Sequence, residues 1–249
     1  MLDKKELNGY DLEKPIILVC AGPTARKVSA SKIYYTAGVN TTPNLIDETD
    51  FWIVNDACYF DDISEENKQK VKNIVMPQFP HTVNGIDYKP NVSCDFKTVI
   101  GTHDDLLKRT LSNKLDVFSF NIQSAARFNL PVDRSAPLFE AKSSSESALK
   151  WLVHQGFKKF ISLGHDPDGG YHGDMISRPT RGGGHVIVKA PIDNARYKEV
   201  NQRLRAVVDN NECEFIRLVT PSETTIDDTL IANIMNRFKP GYQEIFLEI

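Results

Sequence analysis

The stretch Ser162-Leu163-Gly164-His165-Asp166-Pro167-Asp168-Gly169-Gly170-Tyr171 gathers an imidazole, two carboxylates and flexible backbone directly behind the apolar run Phe160–Leu163. Asp166 and Asp168 form an Asp-x-Asp pair whose hard oxygens suit Mg or Mn, while His165 and the nearby His172 would suit zinc. The same acids can instead accept hydrogen bonds from a base or a ribose. Further on, His185 follows Arg181-Gly182-Gly183-Gly184. An imidazole carried on such a flexible segment has the pKa to act as general base on a hydroxyl, and Arg178 and Arg181 can hold a departing diphosphate. His165 and His172 compete with His185 for the role of base.

Three more polar clusters sit beside apolar runs. Gly22-Pro23-Thr24 follows Ile16–Cys20, where the glycine lets a phosphate or ribose approach the backbone, Thr24 offers a hydroxyl, and Arg26 and Lys27 offer charge. Asn55 and Asp56 end the run Phe51–Val54 and can bind a base or ribose. Ser143, Ser144 and Ser145 open a helical pattern. One serine suffices as a cap; free N–H groups and two further hydroxyls make an anion site.

These clusters need strands and helices to bring them together. Near-continuous apolar runs at Ile16–Cys20, Phe51–Asn55, Asn73–Met76, Val117–Asn121, Phe160–Leu163 and Glu214–Val219 read as strands covered on both faces. They alternate with helical patterns over Ser143–Gln155, Asn194–Asp209 and Thr225–Phe238, opened by Ser143 with Glu146, by Asp193, and by Thr225 with Asp227 and Asp228. The expected fold is α/β: an open, mostly parallel sheet with helices on both faces. Polar groups that recur at strand ends mark its carboxyl edge, where ligands of such sheets bind. The segments 77–95 and 167–191, rich in glycine, proline and asparagine, read as irregular lids on a single domain of residues 1–249.

Composition narrows the function. The chain has 249 residues, 41% of them hydrophobic and 25% charged, enough for a sizeable core. A formal charge of −3 argues against a broad electrostatic grip on nucleic acid. Cys20, Cys58, Cys94 and Cys213 lack Cys-x-x-Cys spacing and read as reduced thiols. No apolar run approaches the roughly 18 residues of a membrane span, and the first residues lack the apolar segment of a secretory signal. A cytoplasmic protein is expected, with a homo-oligomer allowed.

The order Gly22-Pro23-Thr24, Val54-Asn55-Asp56, then SSSESALKWLVHQGFKKFISLGHD from Ser143 to Asp166 and EFIRLVTPSE from Glu214 to Glu223 resembles one superfamily. It contains the bacterial CMP-sialic-acid-dependent sialyltransferases and the archaeal-type 6-hydroxymethyl-7,8-dihydropterin diphosphokinases. The resemblance runs from about Ile16 to Ser222 and is most specific between Gly156 and Asp166. It implies a Rossmann-like fold in which Gly22, Pro23, Thr24, Asn55 and Ser143 to Ser145 hold the nucleotide. By the same resemblance Gly164 and Asp166 flank the base or ribose, Tyr171 assists phosphate departure and His185 is the general base. Pro167, Ser145 and the segment 167–191 depart from the family pattern and bear on the substrate. The expected function is transfer of a sugar from a nucleotide-activated donor to an acceptor hydroxyl of a glycan, a small metabolite or a modified nucleobase. The alternatives are a diphosphokinase using ATP, with Mg on Asp166 and Asp168, and a nucleotide-binding module without catalysis.

Overall fold

The computed structural model describes residues 9–54, 63–77, 82–83, 86–87, 116–122, 138–139, 143–166, 177–179, 185–187 and 194–247. In chain order the strands are β1 (Ile16–Val19), β2 (Tyr35–Val39), β3 (Thr49–Ile53), β4 (Val71–Pro77), β5 (Thr82–Val83), β6 (Ile86–Asp87), β7 (Asp116–Ile122) and β8 (Leu138–Phe139). They continue with β9 (Lys159–Leu163), β10 (Ser177–Pro179), β11 (His185–Ile187), β12 (Glu214–Val219) and β13 (Gly241–Phe246). The helices are α1 (Glu65–Gln69), α2 (Ser144–Gln155), α3 (Asn194–Asn210) and α4 (Asp228–Met235).

Nine strands form one sheet in the order β13-β12-β9-β1-β2-β3-β4-β7-β8. Every pairing in it is parallel. Alternate residues of β1 explain its unbroken apolar sequence. Ile16 and Leu18 join a core with Leu149 and Leu152 of α2 and Leu204 and Val208 of α3. Ile17 and Val19 join another with Leu45, Ile46 and with Ile231 and Ile234 of α4. Both faces of the sheet are thus covered, as the expected α/β fold requires. Each of the four β1 side chains is at most 1% exposed, and full burial of such a group contributes about 2 kcal/mol.

All six expected strands form, but β2, β13 and the two-residue β8 of the same sheet went unforeseen. Tyr35-Thr36-Ala37-Gly38-Val39 lacks a strong apolar run because the short 3-10 turn Thr42–Leu45 packs on it: a Cβ at Gly38 would lie 3.0 Å from the Thr42 hydroxyl and 3.2 Å from Pro43. β13 is the half-exposed strand at one end of the sheet order. Within the two segments expected to be irregular lie the antiparallel pairs β5–β6 and β10–β11. The helix expected over Thr225–Phe238 is shorter, because Ile226 pairs as a parallel bridge with Val28 and is extended. Asp227 then caps α4 by accepting from Leu230 N at 2.9 Å. Ser143 caps α2 in the expected way, accepting from Glu146 N at 3.1 Å, and Gly156 ends that helix at φ 107°. Asp193 lies outside the described residues. Among those described, no helix is long and apolar enough to cross a membrane.

Candidate functional site at the switch point

After β1 the sheet grows outward through β2, β3 and β4, while β9 and β12 extend it on the opposite side of β1. The strand order therefore switches direction between β1 and β9, and the carboxyl ends at such a switch point are where ligands of open α/β sheets bind, which makes this the candidate crevice. The loops that leave these two strands are the ones singled out by their chemistry. Cys20 N donates to Leu163 O at 2.8 Å and Gly22 N to Gly164 O at 2.9 Å, so the two chains run on as partners past the strands. Such proximity demands glycine on both sides. A Cβ at Gly22 would lie 2.5 Å from the Gly164 carbonyl oxygen, and Gly164, at φ 66°, presses against the Cys20 carbonyl.

Asp166 locks this contact. Its Oδ2 accepts from Thr24 N at 2.9 Å; its Oδ1 accepts from the Thr24 hydroxyl at 2.7 Å and from Arg217 Nη2 at 3.0 Å. Arg217, on β12, also donates from Nε to the His165 carbonyl at 2.7 Å. On its outer side, Arg217 Nη1 lies 3.5 Å from Glu244 of β13. Asp166 and Thr24 therefore satisfy one another. Both Asp166 oxygens are engaged, one of them by a guanidinium, and Asp168, its expected partner on a cation, lies outside the described residues. No cluster of three metal-ligating side chains occurs among the described residues.

Arg26 also differs from its sequence reading as a charge offered to ligand. Its guanidinium is buried and donates to the carbonyls of Pro23, Ala25, Thr220 and Pro221 at 2.6 to 3.0 Å. It staples the turn after β1 to the end of β12. His165 packs beneath this corner, with Nε2 3.4 Å from Asn201 Oδ1 on α3. Burial lowers its pKa to about 4, opposed by the Asn201 contact and reinforced by the Arg217 charge, so the ring is neutral near pH 7. Burial likewise pushes the Cys20 thiol up to about 12.

The other side of the crevice is built from β2 and α2. The Thr42 hydroxyl accepts from Val39 N at 2.6 Å and donates to Val19 O at 3.0 Å, tying the carboxyl ends of β1 and β2 together. Between them Asn40 stands at φ 54°, a conformation asparagine tolerates better than most residues. Its carbonyl accepts from Trp52 Nε1 at 2.6 Å, and its side chain Nδ2 donates to the Ser144 hydroxyl at 3.3 Å. The Asn40 Oδ1 atom is buried and has no hydrogen-bond partner among the described residues. Ser143 and Ser145 share a hydrogen bond of 2.9 Å between their hydroxyls at the start of α2. Just inside, the buried Glu146 carboxylate meets Arg203 Nε at 2.9 Å and Lys150 Nζ at 2.8 Å.

The structure thus joins Gly22, Pro23 and Thr24 to Gly164 and Asp166, and Ser144 to a residue that the sequence reading overlooked. Asn40 was hidden with β2; the signal for it was the Asn40-Thr41-Thr42-Pro43 cluster, whose residue types favour a chain reversal. Asn55, Asp56, Asp168, Tyr171 and Arg181 lie outside the described residues. His185 begins β11, in register with Pro179.

Fold and crevice together define an open, parallel α/β protein of the Rossmann-like class, with its candidate site at the β1/β9 switch point. The chain matches no family model, no curated protein and no solved structure.

Proposed function

We propose that the chain is a nucleotide-dependent transferase that moves a sugar from a nucleotide-activated donor to an acceptor hydroxyl. The observation that carries this reading is the close junction of the Gly22–Thr24 turn with Gly164 and Asp166 at the switch point. A turn at the carboxyl edge of a parallel sheet, beside a switch point, suits a nucleotide, and the serine-lined start of α2 suits its phosphate. Asn40 Oδ1, an acceptor without a partner, suits an N–H or O–H of the base or ribose.

In the transfer, His185 takes the proton of the acceptor hydroxyl, whose oxygen attacks the anomeric carbon as the bond to the donor phosphate breaks. The nucleotide leaves with the bonding electron pair, its charge met by Arg181 and Tyr171. Acid–base assistance of this kind contributes about a hundredfold or more in rate. We place the activity in the cytoplasm, where Cys20 and Cys213 would remain the free thiols they are here.

A thermal-shift panel of CMP, CDP, UDP, GDP, ADP and ATP, each with and without Mg or Mn, tests the proposal. Stabilisation by CMP without metal is the expected result. Preference for ATP with Mg would replace glycosyl transfer by diphosphate transfer, and no response to any nucleotide would overturn the reading.

A further inference from the structure

From the neighbouring strand β12, Arg217 bonds both the His165 carbonyl and the Asp166 carboxylate, two of the residues that follow β9. It is 7% exposed, and its donors reach the His165 carbonyl and Asp166 Oδ1, with Glu244 behind. Asp166 in turn orients both the backbone N–H and the hydroxyl of Thr24. The result is a line of charge-assisted bonds from β13 through β12 and β9 to the turn after β1. A planar guanidinium can make the two inner bonds at once; an ammonium, being a point charge, cannot match both directions.

We propose that Arg217 is a positioning residue of the crevice: acting through Asp166, it holds the Gly22–Thr24 turn in the shape that receives the donor nucleotide. Arg217 does not itself contact the ligand. Without it, the Asp166 carboxylate loses its countercharge and Thr24 loses a fixed acceptor, while the strands beneath keep their apolar burial. The nucleotide part of this inference rests on the reading above; the positioning part does not.

The test uses the full chain with Arg217→Met, Arg217→Lys, Asp166→Asn and the Arg217→Met/Asp166→Asn pair. Amide hydrogen exchange is followed at Gly22 and Thr24 against Ile17 and Leu18, and CMP affinity is measured by calorimetry. Arg217→Met is expected to speed exchange at Thr24 at least tenfold with Ile17 and Leu18 unchanged, and to weaken CMP about tenfold. Asp166→Asn should do the same, the double variant should be no worse than either single one, and Arg217→Lys should restore part of both effects. Equal speeding across β1, or no change at Thr24 in a folded variant, would overturn the positioning role. Additive losses in the double variant would show that Arg217 does not act through Asp166 and would overturn it too. Should Arg217→Met fail to fold, Arg217→Lys with Asp166→Asn decides the same points. Failure of the unaltered protein to bind any of CMP, CDP, UDP, GDP, ADP and ATP would overturn the nucleotide reading alone, since exchange at Thr24 still decides whether Arg217 sets the turn.

Discussion

The β9 side and the β2 side of the crevice use their polar atoms in opposite ways. On the β9 side, Asp166, Thr24 and Arg217 consume one another's hydrogen-bonding capacity, Arg26 spends its own on four backbone carbonyls, and two glycines are wedged backbone to backbone. On the β2 side, Asn40 has a left-handed backbone and a buried oxygen with no partner among the described residues. A crowded, internally bonded wall gives shape, although the Ser162 hydroxyl of β9 is also buried without a partner among the described residues. A wall with spare hydrogen-bonding capacity at a strained position is where a ligand has something to gain.

Disturbing each wall should therefore give different kinds of loss. The largest effect is expected for Gly164→Ala, which adds a methyl group against the Cys20 carbonyl at positive φ; overpacking and backbone strain together cost about 4 kcal/mol. Denaturant unfolding measures it, and a loss below about 1 kcal/mol would mean that the two loops can part freely. Next comes the pH dependence set by His165 on the same wall. Its folded pKa of about 4 lies below the ordinary 6.5, so the neutral ring contributes stability in full above pH 6.5, and this is lost as pH falls towards 4, where the unfolded chain alone takes the proton. The loss across that window is roughly 3 kcal/mol. Arg217, Asp166 and Arg205 act on the ring as well. Comparing the pH profiles of the protein and His165→Gln isolates the contribution; identical slopes between pH 6.5 and 4 would refute it.

On the β2 wall the expected losses are in binding. Asn40→Gly relieves the left-handed backbone, so stability should shift by less than about 1 kcal/mol. CMP affinity should fall about tenfold, or about 1.4 kcal/mol. A variant that unfolds readily but binds unchanged would invert the contrast between the walls. The smallest effect belongs to Ser145→Ala, since Ser143 remains as the cap of α2. Melting temperature should hardly move, while affinity for CMP should drop about threefold, or about 0.6 kcal/mol; an equal affinity would remove the serines from the phosphate site.

The sheet was legible in the sequence where its chemistry was uniform. Ile16 to Val19 and Phe160 to Leu163 are buried on both faces, so all but Ser162 are apolar whichever way they point. β2 was not legible, because the close approach of Thr42 and Pro43 demands glycine at position 38 and leaves Thr36 to bond with Asp50. Glycine and threonine there look like loop. Missing β2 also hid Asn40. Asp166 was found by its type, but its function as a clamp depends on Arg217, which is 51 positions away in sequence and reads as an ordinary charged residue of a strand. Long-range partners of this kind leave no local pattern. The helix starts fared better, because a cap such as Ser143 or Asp227 bonds within three residues of itself.

The alternation of β1 between two cores has a consequence for how the protein comes apart. Ile16 and Leu18 belong to the layer under α2 and α3, Ile17 and Val19 to the layer under α4, and β9 divides its residues in the same way. Neither layer can melt alone without stripping one face of strands that the other still needs. The two layers are thus thermodynamically one body: heat or denaturant should remove both in a single cooperative step, and α4, though only eight residues long, should persist until the central strands themselves separate.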